Sequence, residues 1–334
     1  MNTKIHGVDF GPIWGMSGVQ NFFGEGYWYH SVLKAMFGMS LEGITFVAKT
    51  TTFEARLGKM PLNKRLQPRE WYPRCIYVNP FKGIALNAVG LSGPGLTSLL
   101  SRGIWQNLNS PFFISFMPVA DTPAGKLGET RAFVRQMRYN FSSFDRPFGT
   151  QLNLSCPNVM SDPEAAVEDA HRHLDEFDWL SEKGMATGIK VSADMPVEKV
   201  IEIGKHPNCH AICVSNTIPF GNLPEEIPWK RLFPNGSPLL KRKGVELPGG
   251  LSGAPLQKIV VKWVREARAR GFKKHINAGG GILNAHNLLD LYYAGADSFS
   301  IGSIVMLRPW NVNSVIRKAH ELHKGHAAHA ATLP

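Results

Sequence analysis

Two asparagines and a cysteine gather where one short apolar run breaks off, in the stretch Gly-Thr-Gln-Leu-Asn-Leu-Ser-Cys-Pro-Asn at residues 149–158. Asn153 alternates with leucines, so on a strand its side chain lies on the face opposite theirs. Pro157 cannot continue a ladder, which places Asn158 in the loop beyond and leaves the direction of Cys156 open. A thiol beside neutral amides suits proton abstraction from a flat polar ring, and a buried cysteine on a structural strand is the alternative.

Polar side chains also stand where other apolar runs end. They are Lys49 with Thr50, Asn87, Lys190, and Asn216 with Thr217. Strands of a parallel barrel present their carboxyl ends at one rim, so these side chains are expected to converge there. A lysine at a strand end must reach an anion or water, because burying it unpaired is costly, and a surface lysine is the alternative. Together with Asn153, Cys156 and Asn158, these strand-end residues comprise two lysines, four amides and one thiol, but no carboxylate.

Glycine-rich turns follow the last two apolar runs. Gly280 and Gly281 come after one of them, and Gly302 precedes Ser303 after the other. A further turn contains Gly249, Gly250, Ser252 and Gly253. Barrels frequently bind phosphate at the loops after strands seven and eight, where backbone N–H groups are free to donate. With amides and lysines opposite, this pattern predicts a flavin mononucleotide (FMN) across the barrel top.

Apolar runs typical of buried parallel strands alternate with helical patterns from about residue 43 onward. The eight runs are residues 43–49, 83–89, 112–118, 150–154, 187–191, 211–215, 275–278 and 298–301. Eight strands with crossover helices favour an α/β fold of the (β/α)8 TIM-barrel type over a doubly wound sheet.

The sequence predicts a single domain over residues 1–334, with a cap of hairpin and helix at 1–42, the barrel at 43–306, and a closing helix and tail at 307–334. Residues 5–18 are expected to form a hairpin or cap over the barrel base. The aromatic stretch at 22–39 is expected to be a packed helix rather than an amphipathic surface helix. The long insertion after strand six, residues 219–255, should be functional or carry small strands of its own.

Composition narrows the possible classes. Four cysteines in 334 residues do not form a disulfide framework, and Cys209 and Cys213 have no second metal-spaced pair. With no signal peptide and no apolar run long enough to span a bilayer, we expect a cytoplasmic protein without a membrane span. The formal net charge is +11, but the basic residues are scattered, so nucleic-acid binding is not expected.

The stretch Leu-Asn-Leu-Ser-Cys-Pro-Asn resembles the active-site strand of dihydroorotate dehydrogenases, in particular the soluble branch that uses cysteine as its base. The resemblance extends from about residue 10 to about residue 306. It implies that Cys156 is the general base, that Lys49 faces the substrate carboxylate, and that a pyrimidine is held by Asn87, Asn153, Asn158, Asn216 and Thr217. It also implies flavin contacts from Met16, Ser17, Gly18, Lys49, Thr50, Lys190, Gly250, Ser252, Gly253, Gly280, Gly281, Gly302 and Ser303.

Several positions depart from the family pattern. Gly15 and Gly93 each replace a usual asparagine, and Ser303 replaces a threonine. The loop after Asn158 lacks the common Pro-Gly lid pattern. Three other readings therefore stay open: an oxidoreductase acting on another dihydropyrimidine, a tRNA-dihydrouridine synthase, and a non-catalytic flavin- or ligand-binding barrel.

The resemblance implies oxidation of dihydroorotate to orotate in pyrimidine biosynthesis, with flavin N5 as hydride acceptor. Lys190 would stabilise negative charge on the reduced flavin. A homodimer is the family expectation, and fumarate, a quinone, or NAD through an electron-transfer partner subunit could each be the acceptor.

Overall fold

The computed structural model describes residues 1–154 and 163–331. The strands are β1 (Lys4–Ile5), β2 (Val8–Asp9), β3 (Ile13–Gly15), β4 (Ile76–Asn79), β5 (Ile84–Asn87), β6 (Phe112–Phe116), β7 (Phe148–Asn153), β8 (Ala186–Ser192), β9 (Ala211–Asn216), β10 (Ile218–Pro219), β11 (Gly250–Gly253), β12 (His275–Gly279) and β13 (Ser298–Ile301). The helices are α1 (Trp28–Phe37), α2 (Leu96–Leu100), α3 (Pro123–Asn140), α4 (Pro163–Asp175), α5 (Asp178–Glu182), α6 (Val197–Gly204), α7 (Trp229–Leu232), α8 (Leu256–Ala269), α9 (Ala285–Ala294), α10 (Ile304–Leu307) and α11 (Val312–Ala331).

A curled parallel sheet forms the centre of the molecule, in the order β3-β13-β12-β9-β8-β7-β6. Residues 45–51 bridge its two outer strands. On one side the Thr45 N–H donates to the Ile13 carbonyl at 2.9 Å, and on the other the Thr51 N–H donates to the Ser115 carbonyl at 2.9 Å. This segment therefore closes the sheet, and the predicted (β/α)8 barrel is confirmed.

The strand predicted at 83–89 is not a barrel strand. Its observed part, β5, is antiparallel to β4 on one side and to β11 on the other, in a separate sheet ordered β10-β11-β5-β4. The vacant place in the barrel is taken by β3, which pairs in parallel with β13. An apolar run of this length does not distinguish parallel from antiparallel pairing, and β3 is too short to stand out in the sequence.

The expectation for the N-terminal segment holds only in part. β1 and β2 form an antiparallel hairpin, as the prediction of a hairpin or cap requires. Ile13–Gly15, also within the segment expected to be a cap, is a barrel strand, so the barrel begins well before residue 43. The insertion at 219–255 carries α7 and β11, which confirms that it holds secondary structure of its own.

Helix α1 corrects a second prediction. None of its residues is buried, and Val32, Met36 and Phe37 are 45%, 66% and 40% exposed. It is therefore an amphipathic surface helix rather than a packed one. No helix of the described residues is both long and apolar enough to cross a bilayer.

Aromatic side chains fill the base of the barrel. The Phe10 and Trp14 rings lie 4.2 Å and 4.6 Å from the Phe113 ring, centroid to centroid, and all three side chains are buried. Gly149 on the neighbouring strand makes room for them, because a Cβ there would lie 2.4 Å from Phe113 Cε1. The barrel interior is therefore packed at its amino-terminal end, which leaves the carboxyl end for chemistry.

Candidate active site

A cavity of about 740 Å³ opens at the carboxyl ends of the barrel strands. It collects most of the side chains that the sequence singles out. The predicted residues that line it are Met16, Ser17, Gly18, Lys49, Thr50, Asn87, Asn153, Lys190, Asn216, Thr217, Ser252, Gly280, Gly281, Gly302 and Ser303. These residues come from all parts of the chain, and parallel strands bring them to one rim.

Lys49 lies at the end of the segment that closes the barrel. Its side chain is 7% exposed, its Nζ donates to the Ser92 carbonyl, and the ammonium group lies 4.6 Å from the centroid of the Phe22 ring. Burial lowers the pKa of Lys49 to about 8. No ion pair with a carboxylate neutralises it within residues 1–154 and 163–331. A buried cation in this state favours an anionic ligand.

Lys190 is the second buried cation of the cavity. It extends from β8, is 5% exposed, and donates from Nζ to Ser17 Oγ at 3.0 Å. Burial lowers its pKa to about 8, and within the described part of the chain it too lacks a carboxylate partner.

Hydroxyl groups connect Lys190 to the strand beside Lys49. Thr50 Oγ1 donates to Ser17 Oγ at 3.1 Å, and Thr50 and Ser115 share a hydrogen bond of 2.9 Å between their hydroxyls. Ser17 thus receives hydrogen bonds from both Thr50 and Lys190. This chain of hydroxyls fixes the position of the Lys190 ammonium group without neutralising its charge.

The amides form a second polar wall. Asn216 Nδ2, at the end of β9, donates to Asn153 Oδ1, at the end of β7, at 3.1 Å. The Thr217 N–H donates to Asn216 Oδ1 at 3.1 Å. Asn87 reaches the cavity from β5, so the antiparallel sheet delivers it rather than the barrel. Carboxamides carry both donors and acceptors, and so can pair with the amide edges of a ring.

The glycines divide into two groups. Gly280, with φ of +124°, and Gly302 line the cavity beside Ser303. Gly250 and Gly253 do not line it, and packing explains them. A Cβ on Gly250 would lie 2.2 Å from Thr217 Oγ1, and one on Gly253 would lie 2.2 Å from the Gly83 carbonyl oxygen.

Cys156 and Asn158 lie outside the described residues. The three cysteines within them are poor bases at neutral pH, because burial raises the thiol pKa of Cys75 to about 11 and those of Cys209 and Cys213 to about 12. None of these three thiols is therefore suited to act as the general base, the role expected of Cys156.

An aromatic outer wall is the part of the cavity that sequence reasoning missed. Tyr27, Trp28 and Tyr29, at the start of α1, line the cavity together with Trp71 and Tyr72. The Trp28 and Trp71 rings stack with centroids 3.5 Å apart. The aromatic cluster at 27–29 was visible in the sequence, but its pairing with a loop more than forty residues away was not.

The chain is similar to known proteins in sequence and in fold. The family model for dihydroorotate dehydrogenase matches residues 2–322. The catalytic subunits of dihydroorotate dehydrogenase B (NAD(+)) from Bacillus mycoides and Bacillus thuringiensis are each 25% identical over 259 residues, which is 72% of this chain and 74% of theirs.

A dihydroorotate dehydrogenase from Eimeria tenella, solved in complex with ferulenol, has a similar fold, with a TM-score of 0.64 at 15% identity. The match covers 98% of this chain and 85% of that one. The chain therefore belongs to the dihydroorotate dehydrogenase family and is, as the sequence predicts, an oxidoreductase of the FMN-dependent type that acts on a CH–CH bond.

Proposed function

We propose that this enzyme binds FMN and oxidises dihydroorotate to orotate in the cavity at the carboxyl ends of the barrel strands. One observation carries the proposal: two buried lysines, which have no carboxylate partner within the described part of the chain, share a cavity with a wall of carboxamides. A flavin phosphate and a pyrimidine carboxylate are both anions, and a pyrimidine ring presents amide edges.

The residues present fit FMN. Gly280, Gly281 and Gly302 line the cavity at the ends of β12 and β13, and backbone N–H groups at such glycine turns suit a phosphate. Lys190, held by Ser17, would lie near the electron-poor part of the flavin ring and stabilise negative charge there. FMN, when bound, supplies the hydride acceptor for the reaction.

The substrate would lie against the amides. Asn87, Asn153 and Asn216, with Thr217, would pair with the ring N–H and C=O groups, and Asn158 would join them from outside the described residues. Lys49 would pair with the ring carboxylate. A site built to make these hydrogen bonds rejects analogues that lack the matching groups, because its own buried polar atoms would be left unpaired.

Cys156 would remove the C5 proton of dihydroorotate as general base. An ordinary cysteine has a pKa of about 8.5, which is close enough to neutral for this task once water is excluded. The proton would pass to the Cys156 sulfur, while C6 gives up a hydride. Lys49 and the amides would hold the ring so that both carbon atoms face their acceptors.

The relatives suggest the electron acceptor. They are named as catalytic subunits of an NAD(+) enzyme, which favours an electron-transfer partner subunit over fumarate or a quinone. The homodimer and the cytoplasmic location expected from the sequence stay predictions.

The test is an anaerobic visible spectrum of the purified protein before and after addition of dihydroorotate. We expect a flavin spectrum that bleaches within seconds. In Cys156→Ala the flavin should remain bound while bleaching slows by about 100-fold or more, since general bases typically contribute 10²–10⁴. Cys209→Ala, which removes a buried thiol that precedes β9 and does not line the large cavity, should bleach like the wild type and serves as the control.

Other outcomes would redirect the proposal. A flavin that persists with dihydroorotate but bleaches with dihydrouracil would move the substrate to a ring without a carboxylate, for which Lys49 has less use. A colourless protein that cannot be reconstituted with FMN would refute the proposal, and wild-type bleaching rates in Cys156→Ala would remove Cys156 as the base.

A further inference from the structure

A second cavity, of about 250 Å³, lies at the opposite end of the barrel. Its walls are the β1–β2 hairpin and the residues that directly precede β9, β12 and β13, including Lys4, His6, His210, Lys274 and Asp297. It shares no lining residue with the large cavity among the described residues. The reaction at the carboxyl ends of the strands therefore makes no use of it.

Positive charge is concentrated at this second cavity. Lys4, Lys273 and Lys274 line it, and the carboxylate that lines it, Asp297, is already engaged. Asp297 Oδ2 accepts a hydrogen bond from Arg268 and another, of 2.8 Å, from the Ile276 N–H. None of the three lysines forms an ion pair within the described part of the chain. Among the described residues, three cations thus share one concave surface with one lining carboxylate, Asp297, which already pairs with Arg268.

Lys274 is held in place by the backbone. Its Nζ donates to the carbonyl oxygens of His206 and Cys209 at 2.6 and 2.7 Å. An ammonium group has three N–H donors, so one remains for a ligand. Because the side chain is already ordered, a ligand that binds there would lose little additional side-chain entropy.

His210 and His275 contribute polarity to this cavity rather than charge at neutral pH. Burial lowers the pKa of His210 to about 4, and repulsion from His6 and Lys274 lowers it further in the same direction. His210 Nδ1 accepts the Thr187 N–H at 3.0 Å, so its Nε2 carries the proton in the neutral ring. Burial likewise lowers the pKa of His275 to about 4.

We propose that this basal cavity, at the amino-terminal end of the barrel, binds a small oxyanion of the phosphate class. Three ammonium groups act as point charges and suit a compact tetrahedral anion, whereas planar carboxylates are typically gripped by the arginine fork, and no arginine lines the cavity in the described part of the chain. A volume of about 250 Å³ is below the usual range for drug-sized ligands, which favours the phosphate group itself.

The bound anion would connect the N-terminal hairpin to the barrel. Lys4 belongs to β1, whereas Lys273 and Lys274 precede β12. An anion between them would cancel their mutual repulsion and link the two elements. We therefore expect binding to raise the melting temperature of the whole chain as well as to occupy the site.

The test is calorimetric titration of the full chain with inorganic phosphate at constant ionic strength, after saturation with FMN so that flavin phosphate fills the other cavity. Lys4→Gln combined with Lys273→Gln removes two exposed cations of the site without disturbing the core. Lys258→Gln with Lys262→Gln removes the same charge from exposed positions of α8 and is the matched control.

We expect one phosphate to bind the wild type and the control alike, and the Lys4/Lys273 variant to bind it at least about tenfold more weakly, a loss of about 1.4 kcal/mol.

Titration with ribose 5-phosphate distinguishes a site for free phosphate from a site for the phosphate group of a larger metabolite. Tighter binding than free phosphate, abolished by the same variant, would mean that the site takes a phosphorylated metabolite. Equal phosphate affinity in both double variants, or no binding at about 20 mM phosphate, would overturn the proposal. The difference in phosphate affinity between the two double variants does not depend on whether the protein oxidises dihydroorotate.

Discussion

Lys49 and Lys190 are unusual because each is a buried lysine that has no carboxylate beside it among residues 1–154 and 163–331. Removing an ammonium group from water is costly, and the low pKa of about 8 at both positions expresses that cost. An anionic ligand that pairs with either ammonium group would offset that cost on binding. The fold therefore favours anion binding at these two lysines.

The lowered pKa of Lys49 predicts how ligand binding depends on pH. Lys49 is mostly charged at pH 7 and mostly neutral at pH 9, so the dissociation constant of orotate should rise about tenfold over that interval. The direction follows because deprotonation removes the charge that pairs with the carboxylate. Titration calorimetry at several pH values measures it.

Lys49→Met should bind orotate weakly and with a flat pH profile over the same range. Lys262→Met, an exposed lysine on α8, should keep the wild-type slope and controls for the loss of one charge. If the pH slope survived in Lys49→Met, the titrating group would be another residue.

At the residue scale, several residues that the sequence singles out line one cavity. Asn153, Lys190 and Asn216 all lie in the cavity, because a polar residue at the end of an apolar strand has only the barrel rim to occupy. Ser115 was not predicted, although it hydrogen-bonds Thr50. It lies within a strand that reads as wholly apolar, and a single hydroxyl gives no sequence signal there.

At the scale of elements, the antiparallel sheet β10-β11-β5-β4 determines the shape of the mouth. It joins the loop after residue 51 to the insertion after strand six, and its register pairs Gly250 with Asn87. Asn87 therefore depends on a partner strand more than 160 residues away. The sequence predicts that Asn87 lies at the site, but the assignment of its strand to the barrel is wrong.

Gly253 provides a test of this sheet. In Gly253→Ala the new Cβ would lie 2.2 Å from the Gly83 carbonyl oxygen, and backbone cannot move aside as a flexible side chain can. We expect the variant to lose about 2 kcal/mol or more of unfolding free energy, in the range that overpacking and a strained φ produce together. Urea denaturation measures the loss.

Gly236→Ala is the matched control for that variant. Gly236 also has a positive φ and lies in the same insertion, but a Cβ there would meet nothing within 4 Å. The difference between the two variants isolates the close approach of β11 to β5. Equal losses would mean that backbone strain alone accounts for the effect.

The element-scale errors share a cause. β3 and residues 45–51 complete the barrel through single bridges and short ladders, whereas β5 has the long apolar run typical of a central strand. Pairing partners are chosen by the whole fold, so local pattern cannot assign them. The stacking of Trp28 on Trp71 is likewise a non-local contact.

At the scale of the whole molecule, the barrel has two unlike ends. The carboxyl end holds a cavity of about 740 Å³, and the amino end is filled by Phe10, Trp14 and Phe113. The aromatic packing closes the barrel beneath the site and so excludes water from below. The amino-terminal end of the barrel therefore contributes mainly to stability, and the carboxyl end contains the candidate site.

Phe10→Ala should therefore cost about 3–5 kcal/mol of unfolding free energy, as expected for a buried phenylalanine, while the folded fraction keeps its orotate affinity. Phe81→Ala, at a side chain that is 99% exposed, should change stability by less than about 0.5 kcal/mol. Denaturant midpoints and orotate titrations on the same samples measure both quantities. A loss of orotate affinity in folded Phe10→Ala would show that the two ends are coupled.

The pairing of Ile13–Gly15 with Ser298–Ile301 also affects how the chain is made. The first barrel strand leaves the ribosome about 280 residues before its partner, which at typical synthesis rates is roughly 15–60 s. Throughout that interval the growing chain carries a strand edge that only the last strand can cover. The rate of translation therefore determines how long this strand edge is exposed to aggregation. The exposure ends when β13 has left the ribosome and can pair with β3.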